Sequence, residues 1–173
     1  MTSRRGLVSE RRGDGRWCMT PEIWQETLRI LDRRALSEAD LVLKLRNAGF
    51  ADDDISEAVA RATALGCCDD YALAGWRARA CAEGNHGLRR IKENLRKSHV
   101  SEAALEAALA EQAGDEPARA ARACQYKLRC LARESDSGRK REKVLRFLLA
   151  RGFSMDIALA TVNEALSGDA GDF

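Results

Sequence analysis

The sequence predicts an all-α fold, an elongated tandem array of three three-helix repeats. Three observations carry this expectation. A leucine-rich amphipathic run, a short break with an apolar residue after it, and a second apolar-periodic run recur at residues 41–59, 91–109 and 144–162. Their break points, Gly49-Phe50, His99-Val100 and Gly152-Phe153, lie 50 and then 53 positions apart, the kind of period that stacked helical units produce. Composition agrees: 45% hydrophobic and 32% charged residues describe a folded chain, while 5% aromatics and two prolines tilt it toward helix. No segment shows the period-two alternation of strands.

The helices follow in order from their start and stop signals. Thr20-Pro21 opens the first, because proline loses nothing at the first helical position, and that helix is expected to run to about residue 35. Ser37 with Asp40 resembles a capping box for a second helix over 37–48, which Gly49 ends in the left-handed conformation. Asp52, Asp53 and Asp54 favour the positive end of a third, whose apolar face is Ile55, Val59 and Ala62.

The second repeat opens with Asp69 as a cap and a face of Tyr71, Ala74, Ala78 and Cys81, stopping at Gly84. Leu88, Ile91 and Leu95 mark its middle helix, and Ser101, Leu105, Ala108 and Leu109 its last. The third opens at Asp115-Glu116-Pro117 with Ala121, Cys124, Leu128 and Leu131 on one face. After a polar loop, Glu134 to Gly138, come a helix with Val144, Phe147 and Leu148 and a last one capped by Ser154, carrying Met155, Leu159, Val162 and Leu166. The expected boundaries are 20–66, 67–114 and 115–168, with a disordered basic arm over 1–19 and a disordered tail over 169–173.

Net charge is only +2, but it is unevenly distributed. Residues 22–65 carry 6 basic and 9 acidic side chains, 77–97 carry 7 and 2, 98–118 carry none and 5, and 119–146 carry 10 and 3. The first repeat is therefore acidic, and the first two helices of the others are basic. Such residues either coat solvated helix faces or form a positive track for a polyanion or an acidic partner. Candidates for the track are Arg77, Arg79, Arg89, Arg90, Lys92, Arg96 and Lys97, then Arg139, Lys140, Arg141 and Lys143.

Other function classes find little support. No apolar run approaches the roughly 20 residues a membrane span needs, and the N-terminal arginines have no apolar stretch behind them, so neither a span nor a secretory signal is expected. The six cysteines, at 18, 67, 68, 81, 124 and 130, show no CxxC or Cys/His ligand spacing, so no metal site is expected. Vicinal Cys67-Cys68 reads as reduced thiols of a cytoplasmic protein, with a redox switch as the alternative. His86 and His99 read as helix-end or surface residues without catalytic partners. The Gly84 to Gly87 stretch, GNHG, lacks the phosphate-loop pattern and reads as an interhelical turn. Asp69-Asp70 reads as a cap plus a first-turn acid rather than a cation site. No catalytic residues, cofactor or small-molecule substrate are expected. Sequence-specific duplex readout is not expected either, since the second helix of the one conceivable helix-turn-helix, Ser37 to Leu65, is acidic.

Taken as a set, the residues resemble the RecX family of bacterial regulators of the RecA recombinase. The carrying segments are Leu28-Arg29-Ile30-Leu31 with Arg33, Ser37 to Leu41, and Lys44-Leu45 with Gly49-Phe50. Cys68-Asp69-Asp70-Tyr71-Ala72 with Trp76 and Arg79 follows, then Gly87 to Ile91 with Leu95, and Lys143 to Leu148 with Arg151-Gly152-Phe153. They cover residues 22 to 167 or so. The aromatic follows the paired acids directly instead of two positions later, and the middle break is His99 where the family has glycine, so that a left-handed exit has to be made without one. The resemblance implies a non-enzymatic protein that lodges in the groove of the RecA filament on single-stranded DNA and lowers ATP hydrolysis, filament extension and strand exchange. The RecA filament is the implied partner and single-stranded DNA a second. A direct DNA-binding module and an adaptor for another protein are the alternatives.

Overall fold

The structure, a computed structural model, describes residues 20–167. Among them are nine α-helices and no strand: α1 (Pro21–Leu31), α2 (Glu38–Asn47), α3 (Asp52–Ala64), α4 (Asp70–Glu83), α5 (Leu88–Arg96), α6 (Glu102–Ala113), α7 (Glu116–Cys130), α8 (Ser137–Ala150) and α9 (Met155–Ser167). The all-α class and the helix triplets agree with the sequence reading. The expected arm and tail lie outside the described residues.

Two compact units are present, and α4 begins in one and ends in the other. Of the described residues, the first holds 20–73 together with Ser98–Ser101, and the second holds Ala74–Lys97 and 102–167. In the first unit α1, α2 and α3 pack on one another around Ile23, Leu41, Leu45, Ile55, Ala58 and Ala62, with Phe50 against the edge. In the second, α7, α8 and α9 do the same around Ala120, Ala123, Cys124, Val144, Leu148, Phe153, Ala158 and Val162, and α5 packs on α6. The buried residues recur at helical spacing, so each helix gives one stripe to a core and leaves the rest to charge.

Several caps form as expected. The Ser37 hydroxyl accepts the Asp40 N–H at 3.2 Å, and Asp69 Oδ1 accepts the Ala72 N–H at 3.0 Å. Helix α8 starts inside the expected polar loop, because Asp136 Oδ1 accepts the Arg139 N–H at 2.9 Å and draws Ser137 and Gly138 into the helix. Helix α1 ends at Leu31, short of residue 35, with Asp32 as its C-cap.

Three side chains expected on apolar faces, Tyr71, Ala121 and Met155, are elsewhere. Tyr71 and Trp76 are exposed, because the buried stripe of α4 is Leu73, Ala74 and Ala78. Ala121 is exposed, and the α7 stripe runs through Glu116, Arg119, Ala120, Ala123 and Cys124. Met155 is exposed, and α9 buries Ala158, Thr161 and Val162 instead. On α4 and α9 small buried residues leave the larger Tyr71, Trp76 and Met155 outside, whereas on α7 the small Ala121 is outside and Glu116 and Arg119 are buried.

Candidate interaction surfaces

The three break points share a backbone conformation but not a side chain. Gly49 and Gly152 have φ of +91° and +89°, and His99 takes φ 51° in the same role. A left-handed residue with a Cβ costs roughly 1–2 kcal/mol. His99 offsets part of that cost through its ring, whose Nδ1 lies 2.7 Å from Asp40 Oδ1.

Two acids repeat one structural device. Asp70, at the first position of α4, is buried, and its carboxylate accepts the N–H of Glu38 at 3.0 Å and of Ser101 at 2.7 Å. Glu116, at the first position of α7, accepts the N–H of Leu88 at 2.8 Å. Each acid thus caps the middle helix of the preceding triplet, α2 or α5, where unpaired N–H groups and the helix dipole favour negative charge. Of the Asp69-Asp70 pair only Asp69 is a local cap. Asp70 is a long-range pin, a role that local pattern rules cannot assign.

Glycine at two further places permits backbone contact. A Cβ on Gly87 would meet the Gly152 carbonyl at 2.4 Å, and one on Gly152 would meet the Arg90 nitrogen at 2.5 Å. The Gly87 N–H donates to Arg151 O at 3.0 Å and the Arg89 N–H to Gly152 O at 3.1 Å. The start of α5 therefore seats directly on the end of α8, and GNHG is an interhelical turn with this docking role. Arg151 Nη1 reaches Gly84 O at 2.5 Å from the other side.

Arg119 is a buried cation. It is 1% exposed, donating from Nε to His86 O at 3.2 Å and from Nη1 to Gln112 O at 2.9 Å. Burial pulls its pKa down, opposed by Glu116 and Asp115. It ties the GNHG turn and the end of α6 to α7, so this cation of the 119–146 stretch is not at the surface. An arginine on the same stripe as Ala120 and Ala123 was the available signal.

The eleven candidate cations divide by environment. Arg79 pairs with Glu111, Arg90 with Glu93, Arg139 with Asp136, and Lys143 with Glu134. These are exposed pairs, which are worth little and leave the cations available to a stronger anion. Arg77 is half-buried, with its Nε shielded and without a hydrogen-bond partner. Arg89, Lys92, Arg96, Lys97, Lys140 and Arg141 have no ion pair among the described residues, and on α5 the spacing of Arg89, Lys92 and Arg96 sets them on one face. A further positive cleft lies on the first unit, whose counted charge is acidic. Arg29, Arg33, Arg34 and Lys44 line it, with Glu26 as its one acid and Arg29 already bonded to that acid at 2.6 Å.

The cysteines divide in the same way. The Cys68 thiol is buried against Leu36 O, and desolvation, with Asp70 next in weight, pushes its pKa up to about 11. A thiol held protonated is a poor nucleophile, which argues against a Cys67-Cys68 redox switch. Among the described residues no group of three or more His, Cys, Asp or Glu is placed to hold a metal ion, and no helix is long and apolar enough to cross a membrane.

These features define a class, the all-α proteins built of helix triplets with charged outer faces. No family profile matches the chain. It is 32% identical over 144 residues to a regulatory protein RecX of Chlorobaculum tepidum, covering 80% of this chain and 85% of the relative. It is 28% identical over 132 residues to one of Vibrio campbellii, covering 76% and 84%. Its fold matches the crystal structure of RecX from Lactobacillus salivarius with a TM-score of 0.74 at 22% identity, over 83% of this chain and 94% of the other. The chain belongs to the RecX family.

Proposed function

We propose that this protein is a non-enzymatic, cytoplasmic regulator of the RecA recombinase that binds the RecA filament on single-stranded DNA, lies in its groove, and lowers ATP hydrolysis, filament extension and strand exchange in recombination and SOS repair. Membership of a family whose relatives are named regulatory protein RecX carries this reading. The unpaired cations of α5 and α8 supply chemistry suited to an acidic nucleoprotein surface. Repeats bounded at 20–66, 67–114 and 115–168 would set those cations out in succession along a groove.

RecA ATPase on single-stranded DNA, with this protein added below stoichiometry, is the direct test. A fall in rate is expected. No effect at any ratio would end the proposal. Charge reversal at Arg89, Lys140 and Arg141 should raise the concentration needed for inhibition by tenfold or so, about 1.4 kcal/mol. Arg90 is best left intact, since its backbone packs on Gly152. Unchanged inhibition would show that other faces make the contact.

A further inference from the structure

Helix α7 presents an aromatic and basic face that none of the eleven candidate cations belongs to. Tyr126 is 59% exposed, as is the chain's other tyrosine, Tyr71. Arg122 and Arg129, four residues before it and three after, share its face of the helix and are both exposed. Phe147 of α8 stands beside it, ring centroids 6.4 Å apart and planes inclined by 32°. Two more cations rest over that ring, Lys127 Nζ at 5.3 Å and Arg151 at 4.9 Å from its centroid. Helix α7 carries no acid after Glu116, which is buried and engaged with Leu88.

The arrangement is also held in place. Arg151 is fixed by Gly84 O, and Arg122 by Asn85 Oδ1 at 3.0 Å and Asp115 Oδ2 at 3.4 Å. Phe147 packs against the third-triplet core. Tyr126 therefore projects from a braced surface with a cation on each side along the helix.

We infer that this face binds single-stranded nucleic acid, with an unpaired base stacked on the Tyr126 ring and the adjacent phosphates held by Arg122, Arg129 and Lys127. The alternation of one accessible π-face with several cations matches the alternation of bases and phosphates in an unpaired strand. An acidic peptide would need the cations and not the ring. A duplex keeps its bases stacked inside and offers Tyr126 nothing to lie against. Base stacking is indifferent to sequence, so the contact holds any strand.

The inference goes beyond regulation of RecA and is measured without RecA. The full chain is titrated into a fluorescein-labelled oligothymidylate and, separately, into an abasic strand of equal length, reading anisotropy. Tyr126→Ala should weaken oligothymidylate binding by roughly 5- to 100-fold, the range that loss of one stacked base produces, and leave abasic-strand binding unchanged. Tyr126→Phe should bind oligothymidylate as the parent does. Equal loss on both strands, no loss on either, or a parent chain that does not bind oligothymidylate would each overturn the inference. Thermal melts of both variants separate a packing defect against Phe147 from a lost contact: binding that follows stability and not base content would also overturn it. A Tyr126→Ala chain that has lost the oligothymidylate but slows RecA ATPase as before would leave the regulatory reading intact.

Discussion

Gly49 and Gly152 hold the same place in their triplets, each closing the middle helix ahead of a phenylalanine, with φ of +91° and +89°. Their surroundings differ. Around Gly49 a Cβ would meet nothing within 4 Å, whereas at Gly152 it would strike Arg90. The first glycine serves only the turn. The second serves the turn and the seat of α5. Identical sequence signals thus answer to different physical demands, because one break faces open space and the other a neighbouring helix backbone.

The comparison is broken most readily by alanine at the two sites. Gly152→Ala should cost about 3 kcal/mol or more, since overpacking against a backbone adds to the left-handed penalty. Gly49→Ala should cost only the latter, about 1–2 kcal/mol. Urea unfolding of both variants measures the gap, and equal losses would show that the close approach at Gly152 is unimportant.

The acid pins give the next effect down. Asp70→Ala removes two charge-assisted bonds and Glu116→Ala one, so losses of about 3 and about 1.5–2 kcal/mol are expected. The ratio is the informative quantity, and a Glu116 loss larger than that of Asp70 would contradict the bond pattern. Smallest is His99→Gly. Relief of the left-handed cost and loss of the Asp40 contact oppose each other, leaving a change within about 1 kcal/mol in either direction. A melting-temperature fall as large as that of Gly49→Ala would mean that the His99–Asp40 pair, and not the backbone, holds the middle break.

Much of the architecture was readable from local pattern. The caps at Ser37 and Asp69, the exits at Gly49 and Gly152 and the left-handed His99 follow from rules that act within a few residues, so one strand of sequence contains all the information they need. The fate of Tyr71, Ala121 and Met155 did not follow. Each lies near the edge of an apolar stripe, where the approach of another helix decides which neighbour is covered.

The candidate surface was less legible than the fold. The charge count over residues 119–146 includes Arg119, which the turn at His86 and the end of α6 bury. Counting also made the first unit acidic, although Arg29, Arg33, Arg34 and Lys44 converge on one cleft. Tyr126 escaped notice because its significance lies in Phe147 and Arg151, more than twenty positions away.

By itself, the sequence determined the helical class, the triplet period and the three left-handed breaks, since amphipathic periodicity and capping are properties of contiguous residues. Only tertiary structure decided that Asp70 and Glu116 reach back to α2 and α5, that Gly87 meets Gly152, and that Tyr126 stands among cations. Those are meetings between residues far apart in the chain, and they depend on the packing of whole helices.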